Sequence, residues 1–118
     1  MFSHQDFVFG RVPNLDWTQL SVFRGLFTLV QTHVALRLNA DGSTQGLLSD
    51  SVHILYNSPA DKVIVFQRQN VIVVMNLSAR SFPGGYQIGI PAAGTWRVRL
   101  NSDRKAFSSA FGDVGGSV

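Results

Sequence analysis

Apolar positions change their period once along this chain. Leu20, Phe23, Phe27, Val30, Val34 and Leu38 recur at three- and four-residue intervals, which places them on one stripe of a helix. Asp16, followed three residues on by Gln19, forms a capping box, and Asn39 with Asp41-Gly42 supplies a stop. The spacing therefore predicts a helix over Trp17 to Leu38, about five turns at 3.6 residues per turn. Residues 1–16 read as an irregular lead in which Gly10, Pro13 and Asn14 punctuate the aromatics Phe2, Phe7 and Phe9, which want to be covered.

Beyond Gly42 the helical period does not return. Short β-branched and aromatic runs alternate with turn residues at the intervals of an antiparallel sandwich, predicted over residues 45–118. The expected strands are Val52 to Tyr56, Lys62 to Arg68, Val71 to Leu77, Tyr86 to Ile90 and Trp96 to Asn101, with a weaker one at Gln45 to Leu48. Arg68-Gln69-Asn70 is a tight connection, so Val63 to Phe66 and Val71 to Val74 should pair as a hairpin. The run Val71 to Met75 is apolar on both faces, the pattern of a central strand, one of whose covers is the helix. Trp96, Val98 and Leu100 alternate with Arg97 and Arg99, which points Trp96 to the core. The fold class is mainly β: an antiparallel sandwich with one N-terminal helix, in a single domain.

Composition sharpens this. Charged residues are 14% of the 118, against about a quarter in typical soluble domains, while 45% are hydrophobic. A surface so poor in charge continues into a partner. The net charge of +3 comes from ten Lys and Arg spread from Arg11 to Lys105 without a stripe, so no nucleic-acid partner is expected. There is no cysteine, which removes disulfides and thiolate chemistry. The opening Met-Phe-Ser-His-Gln-Asp has neither a basic start nor a long apolar run, so neither a signal peptide nor a membrane partner is expected, and the expected location is cytoplasmic.

Candidate chemistry is thin. His4, His33 and His53 are the only histidines and include no short-spaced pair, so no metal site is expected; His33 reads as a partly covered residue of the helix face. Ser3-His4-Gln5-Asp6 contains the residue types of a triad, but a triad is defined by geometry and not by adjacency. Gly84-Gly85 lacks the spacing and following helix of a phosphate cradle, and no cofactor is implied. The seven acidic residues are all Asp: Asp16 reads as a cap, Asp41, Asp50, Asp61 and Asp103 as turn residues, and Asp6 and Asp113 lie near the ends.

The run Asp61 to Asp103 carries a resemblance. Asn76-Leu77-Ser78, Tyr86-Gln87-Ile88-Gly89-Ile90-Pro91, Gly94-Thr95-Trp96-Arg97-Val98 and Asn101-Ser102-Asp103 occur in the order seen in the β-domain that follows the catalytic barrel of glycogen branching enzymes and other α-amylase relatives. Leu15-Asp16-Trp17 and Phe23-Arg24-Gly25-Leu26 resemble the lead into the last barrel helix, and Gln45-Gly46-Leu47 with Val52-His53-Ile54 the entry to the β-domain. The resemblance implies that the catalytic Asp nucleophile, Glu acid/base and second Asp belong to barrel strands with no counterpart here, so no catalytic residue is carried over and no enzyme activity is expected. It also implies further strands beyond Phe107 to Gly112, so the sandwich is expected to lack its closing strands and to leave an open edge.

These readings lead to a non-catalytic structural or interaction module that buries its exposed surfaces by self-association as a homo-oligomer, with Phe2, Phe7 and Phe9 an alternative lid. Two further roles stay open. One is weak binding of α-glucan such as glycogen or starch. Among Trp17, Phe82, Tyr86, Trp96 and Phe107 the preferred platform is Tyr86, with Phe82, Gln87, Arg97 and Asn101 nearby. The other is docking onto a separate glucan-enzyme chain.

Overall fold

A computed structural model describes residues 16–113. Phe2, Phe7, Phe9, His4 with its Ser3-to-Asp6 run, and residues 114–118 lie outside the described residues. The order is two helical pieces, α1 (Gln19–Val22) and α2 (Arg24–Arg37), a 3-10 helix (Gln45–Leu48), and three strands, β1 (His53–Ser58), β2 (Val63–Arg68) and β3 (Val71–Asn76). The chain is thus mainly β, with an antiparallel sheet behind a helical N-terminal part, as the pattern of periods implies.

The predicted single helix is broken at Phe23, whose φ of −105° and ψ of 27° leave the helical region. Two local causes act there. Ser21 Oγ donates to the Thr18 carbonyl at 2.7 Å, a back-bond that bends helices. Gly25 then passes so close to the Phe107 carbonyl that a Cβ would collide with it. Asp16 accepts from the Thr18 N–H at 3.0 Å and from Gln19 Nε2 at 3.1 Å, but the N-cap of α1 is Thr18, which makes no side-chain capping bond, so the reciprocal capping box expected of Asp16 and Gln19 does not form. At the other end Asn39, at φ 55°, takes the left-handed conformation that stops the helix.

The sheet order is β1-β2-β3, antiparallel throughout. The hairpin forms as the tight connection predicts, with Val65 opposite Val74, Phe66 opposite Val73 and Arg68 opposite Val71. β2, not β3, is the central strand, because β1 folds back along its other side. Val63 and Val65 of β2 are the buried hydrophobic residues among those described, each contributing about 1.5–3 kcal/mol. Residues Tyr86 to Ile90 and Trp96 to Asn101 lie outside any ladder, and Trp96 and Val98 are exposed instead of core. Their alternation fixes a preferred face, but Pro83-Gly84-Gly85, Gly89, Pro91 and Gly94 break the segments before a pairing edge is reached.

Gln45–Leu48 is a 3-10 helix and not a strand, held by side chains that satisfy loop backbone. Buried Thr44 donates from Oγ1 to the Leu36 carbonyl at 2.6 Å, and its N–H bonds Asn39 Oδ1 at 2.8 Å. Arg37 donates to the Leu47 carbonyl. Asn70, in the hairpin turn, accepts from the Gly46 N–H at 2.8 Å and donates to the Ser43 carbonyl at 3.2 Å. The helix therefore reaches the sheet by way of this 3-10 turn and does not cover β3 with its apolar stripe. Leu20, Phe23, Phe27, Val30, Val34 and Leu38 all stay between 43% and 67% exposed, and the first four of them, with Trp17 and Leu26, border an open apolar groove.

Candidate functional site

Three stretches far apart in sequence meet beside the β1–β2 turn. β1 presents Tyr56, the turn presents Asp61, and the segment after β3 returns with Arg80, Phe82 and Tyr86. The return is fixed locally: Asn76 Nδ2 donates to the Arg80 carbonyl at 2.8 Å, and Ser78 folds onto Asn76 Oδ1. Gly85 at φ 88° then lets the chain turn so that Tyr86 points back at the sheet.

At the centre the Tyr86 hydroxyl donates to Asp61 Oδ2 at 2.8 Å and lies 3.1 Å from the Tyr56 hydroxyl. Ser58 Oγ donates to the same carboxylate at 3.2 Å, and Arg80 forms an ion pair with Oδ1. The Tyr86 ring meets Phe82 edge to face at 4.7 Å and Tyr56 at 6.0 Å, while the Arg80 guanidinium sits 4.8 Å over the Phe82 ring. Hydrogen bonds from Tyr86, Arg80 and Ser58 hold the Asp61 carboxyl below the usual carboxylate range. The Tyr56 hydroxyl, desolvation and the Asp61 carboxylate push the Tyr86 phenol up to about 12.

Chemically this is a clamp. Asp61 is anionic with both oxygens engaged, which suits neither a general acid nor a metal ligand. Three other carboxylates follow turn chemistry: Asp41 accepts from Ser43, Asp103 from Gly112, and Asp113 from Lys105. Among the described residues no three His, Cys or acidic side chains are grouped to hold a metal. His33 is exposed and bonded through Nδ1 to the Leu29 carbonyl at 2.9 Å, more open than its predicted partly covered place.

Of the residues singled out for a sugar platform, Phe82 and Tyr86 come together. Gln87 follows at the surface, Arg97 lies exposed in the stretch after Gly94, and Asn101 is half-buried, accepting the Asp103 N–H at 2.9 Å. The Trp96 indole N–H donates to Ala92 at 3.4 Å. Sequence reasoning placed Asp61 in a turn but missed its partners Tyr56 and Arg80. Nothing in linear spacing marks residues that meet only because β1 and β2 are adjacent and the chain doubles back at Asn76.

A small antiparallel β-domain with a helical N-terminal part, stapled by a Tyr–Asp–Arg clamp, is the class of structure these observations define. The chain belongs to the family described as alpha amylase, C-terminal all-beta domain, whose profile matches residues 55–118. It is similar to the 1,4-alpha-glucan-branching enzyme of Candida glabrata, 32% identical over 117 residues covering 90% of this chain and 16% of that enzyme. The chloroplastic/amyloplastic 1,4-alpha-glucan-branching enzyme 1 of Pisum sativum is 31% identical over 97% of this chain and 15% of its own length. The Saccharomyces cerevisiae enzyme is 33% identical over 52% of this chain and 9% of its own. The chain thus spans no more than about a sixth of these relatives, and its residues 55–118 match the C-terminal all-beta domain. No solved structure matches it significantly.

Proposed function

We propose that this chain works as a non-catalytic structural and interaction module that associates with copies of itself. The observation that carries this reading is the uncovered helix stripe, six apolar residues each at least 43% exposed beside a sheet with few buried hydrophobic residues among those described. An apolar surface of that extent is characteristic of a contact area. Light scattering on the 118-residue chain tests it: mass rising to a dimer or higher with concentration supports the module, and monomer mass up to high concentration contradicts it.

A second reading, weak α-glucan binding, draws on the substrate in the relatives' name and on the half-exposed Phe82–Tyr86 corner beside exposed Gln87. Native electrophoresis with and without glycogen separates the two. Retardation of the wild type that is lost in Phe82→Ala and Tyr86→Ala variants of unchanged circular dichroism supports glucan binding. Equal mobility in both gels leaves self-association. Docking onto a branching-enzyme chain is the third reading, tested by pull-down with that enzyme.

A further inference from the structure

The two outer strands of the sheet differ as edges. β1 is bulged between Ile54 and Tyr56, where the register shifts by one residue, and a bulge twists an edge away from further pairing. β3 has no bulge, no proline and no charge over Val71 to Asn76. Its Val74 and Met75 are 53% and 40% exposed. Natural edges are normally blunted by such devices, and β3 lacks them.

The register fixes what β3 offers. In a two-residue hairpin the closing pair, Arg68 and Val71, is hydrogen-bonded, and hydrogen-bonded pairs then recur every second residue. The Leu77 N–H donating to the Lys62 carbonyl at 2.8 Å continues that series, so Val71, Val73, Met75 and Leu77 spend their backbone groups on β2. Ile72, Val74 and Asn76 turn their N–H and C=O groups to the outer edge, where no described residue pairs with them.

We infer that β3 pairs antiparallel with β3 of a second copy about a two-fold axis at Val74, extending the sheet across the dimer. This rests on the self-association proposed above and gives it a second surface beside the helix stripe. Of the possible registers, the one centred on Val74 engages all three outward residues at once: Val74 faces its symmetry mate, and Ile72 faces Asn76 of the other copy. The strand is neutral, so identical chains meet without like-charge repulsion. The interface is isologous and closed, which yields a dimer and no fibre.

The absence of cysteine makes the test clean. Hydrogen-bonded partners stand about 5.5 Å apart at Cα with their side chains wider apart than in a non-hydrogen-bonded pair, a gap that a short thiol-to-thiol cross-linker spans. With such a bismaleimide linker Val74→Cys is expected to give a covalent dimer, while Ile54→Cys on β1, 51% exposed, does not. Val74→Lys and Val74→Asp should each be monomeric with wild-type circular dichroism, and mixing them should restore dimer mass. If the wild type is a dimer but Val74→Cys fails to link, or the charged mixture does not reassociate, the β3 edge is not the interface. If Phe27→Asp on the helix abolishes the dimer and Val74→Lys does not, self-association stands and this inference falls. A monomeric wild type overturns both.

Discussion

The loop side and the open side of this molecule solve opposite problems. Around Asp61 and around Asn70, polar groups drawn from distant stretches find hydrogen-bond partners, and the loops they pin are held without a large core. Along α2 and β3, apolar side chains and edge backbone groups remain open. The contrast shows that tight polar stapling and a covered hydrophobic core are separate achievements. This chain has the first, and among the described residues its apolar helix stripe stays uncovered.

The largest effect should come from the staples that tolerate no extra atom. A Cβ at Gly46 would strike the Arg68 carbonyl and crowd Asn70 Oδ1, and one at Gly25 would strike the Phe107 carbonyl. Gly46→Ala and Gly25→Ala are each expected to cost about 1–3 kcal/mol, read as a lower midpoint in urea denaturation. Asn70→Ala follows, because it leaves the Gly46 N–H and Ser43 carbonyl without their partner; about 1–2 kcal/mol is expected in the same titration. On the open side the ranking reverses. Val30→Asp, at a 53% exposed position, should change stability of the dilute monomer by no more than about 0.5 kcal/mol. A large loss there would show the stripe to be covered and the contrast false.

The Asp61–Tyr86 pair sets a smaller, pH-dependent effect. Asp61 is more acidic folded than its ordinary 3.8, so its contribution is present above that value and is lost as pH falls through the lower folded value. Tyr86 runs the other way. Its contribution is present below the ordinary 10.0 and is lost as pH rises from there to about 12, because the unfolded chain ionises first. Tyr86→Phe should flatten that alkaline limb of a stability-against-pH curve; an unchanged limb would mean the clamp is open in solution. A stabilising change is expected at Gln69, at φ 49° in the hairpin turn. Gln69→Gly should raise stability by up to about 1 kcal/mol, seen as a modest rise in Tm.

What the sequence made legible were features decided within a few residues. The helix stop at Asn39 and the Val63–Val74 hairpin depend on local conformation and adjacent runs, and each formed. Features that depend on a distant partner did not read through. The alternation at Trp96, Val98 and Leu100 states which face the side chains prefer, yet no edge pairs with it among the described residues, so Trp96 stays exposed. The Gln45–Leu48 turn looked like a strand because its 3-10 geometry is imposed by Thr44, Arg37 and Asn70 from outside. Half of the Tyr86 environment was visible in Phe82, four residues away. The other half, Tyr56, Asp61 and Arg80, appears only once the chain has folded back.

Sedimentation equilibrium of the 118-residue chain across a wide concentration range, with Val74→Lys alongside, tests most directly whether the open side is a contact surface. Reversible dimerisation of the wild type, lost in Val74→Lys, is the predicted result. A wild type that stays monomeric at every concentration would contradict it.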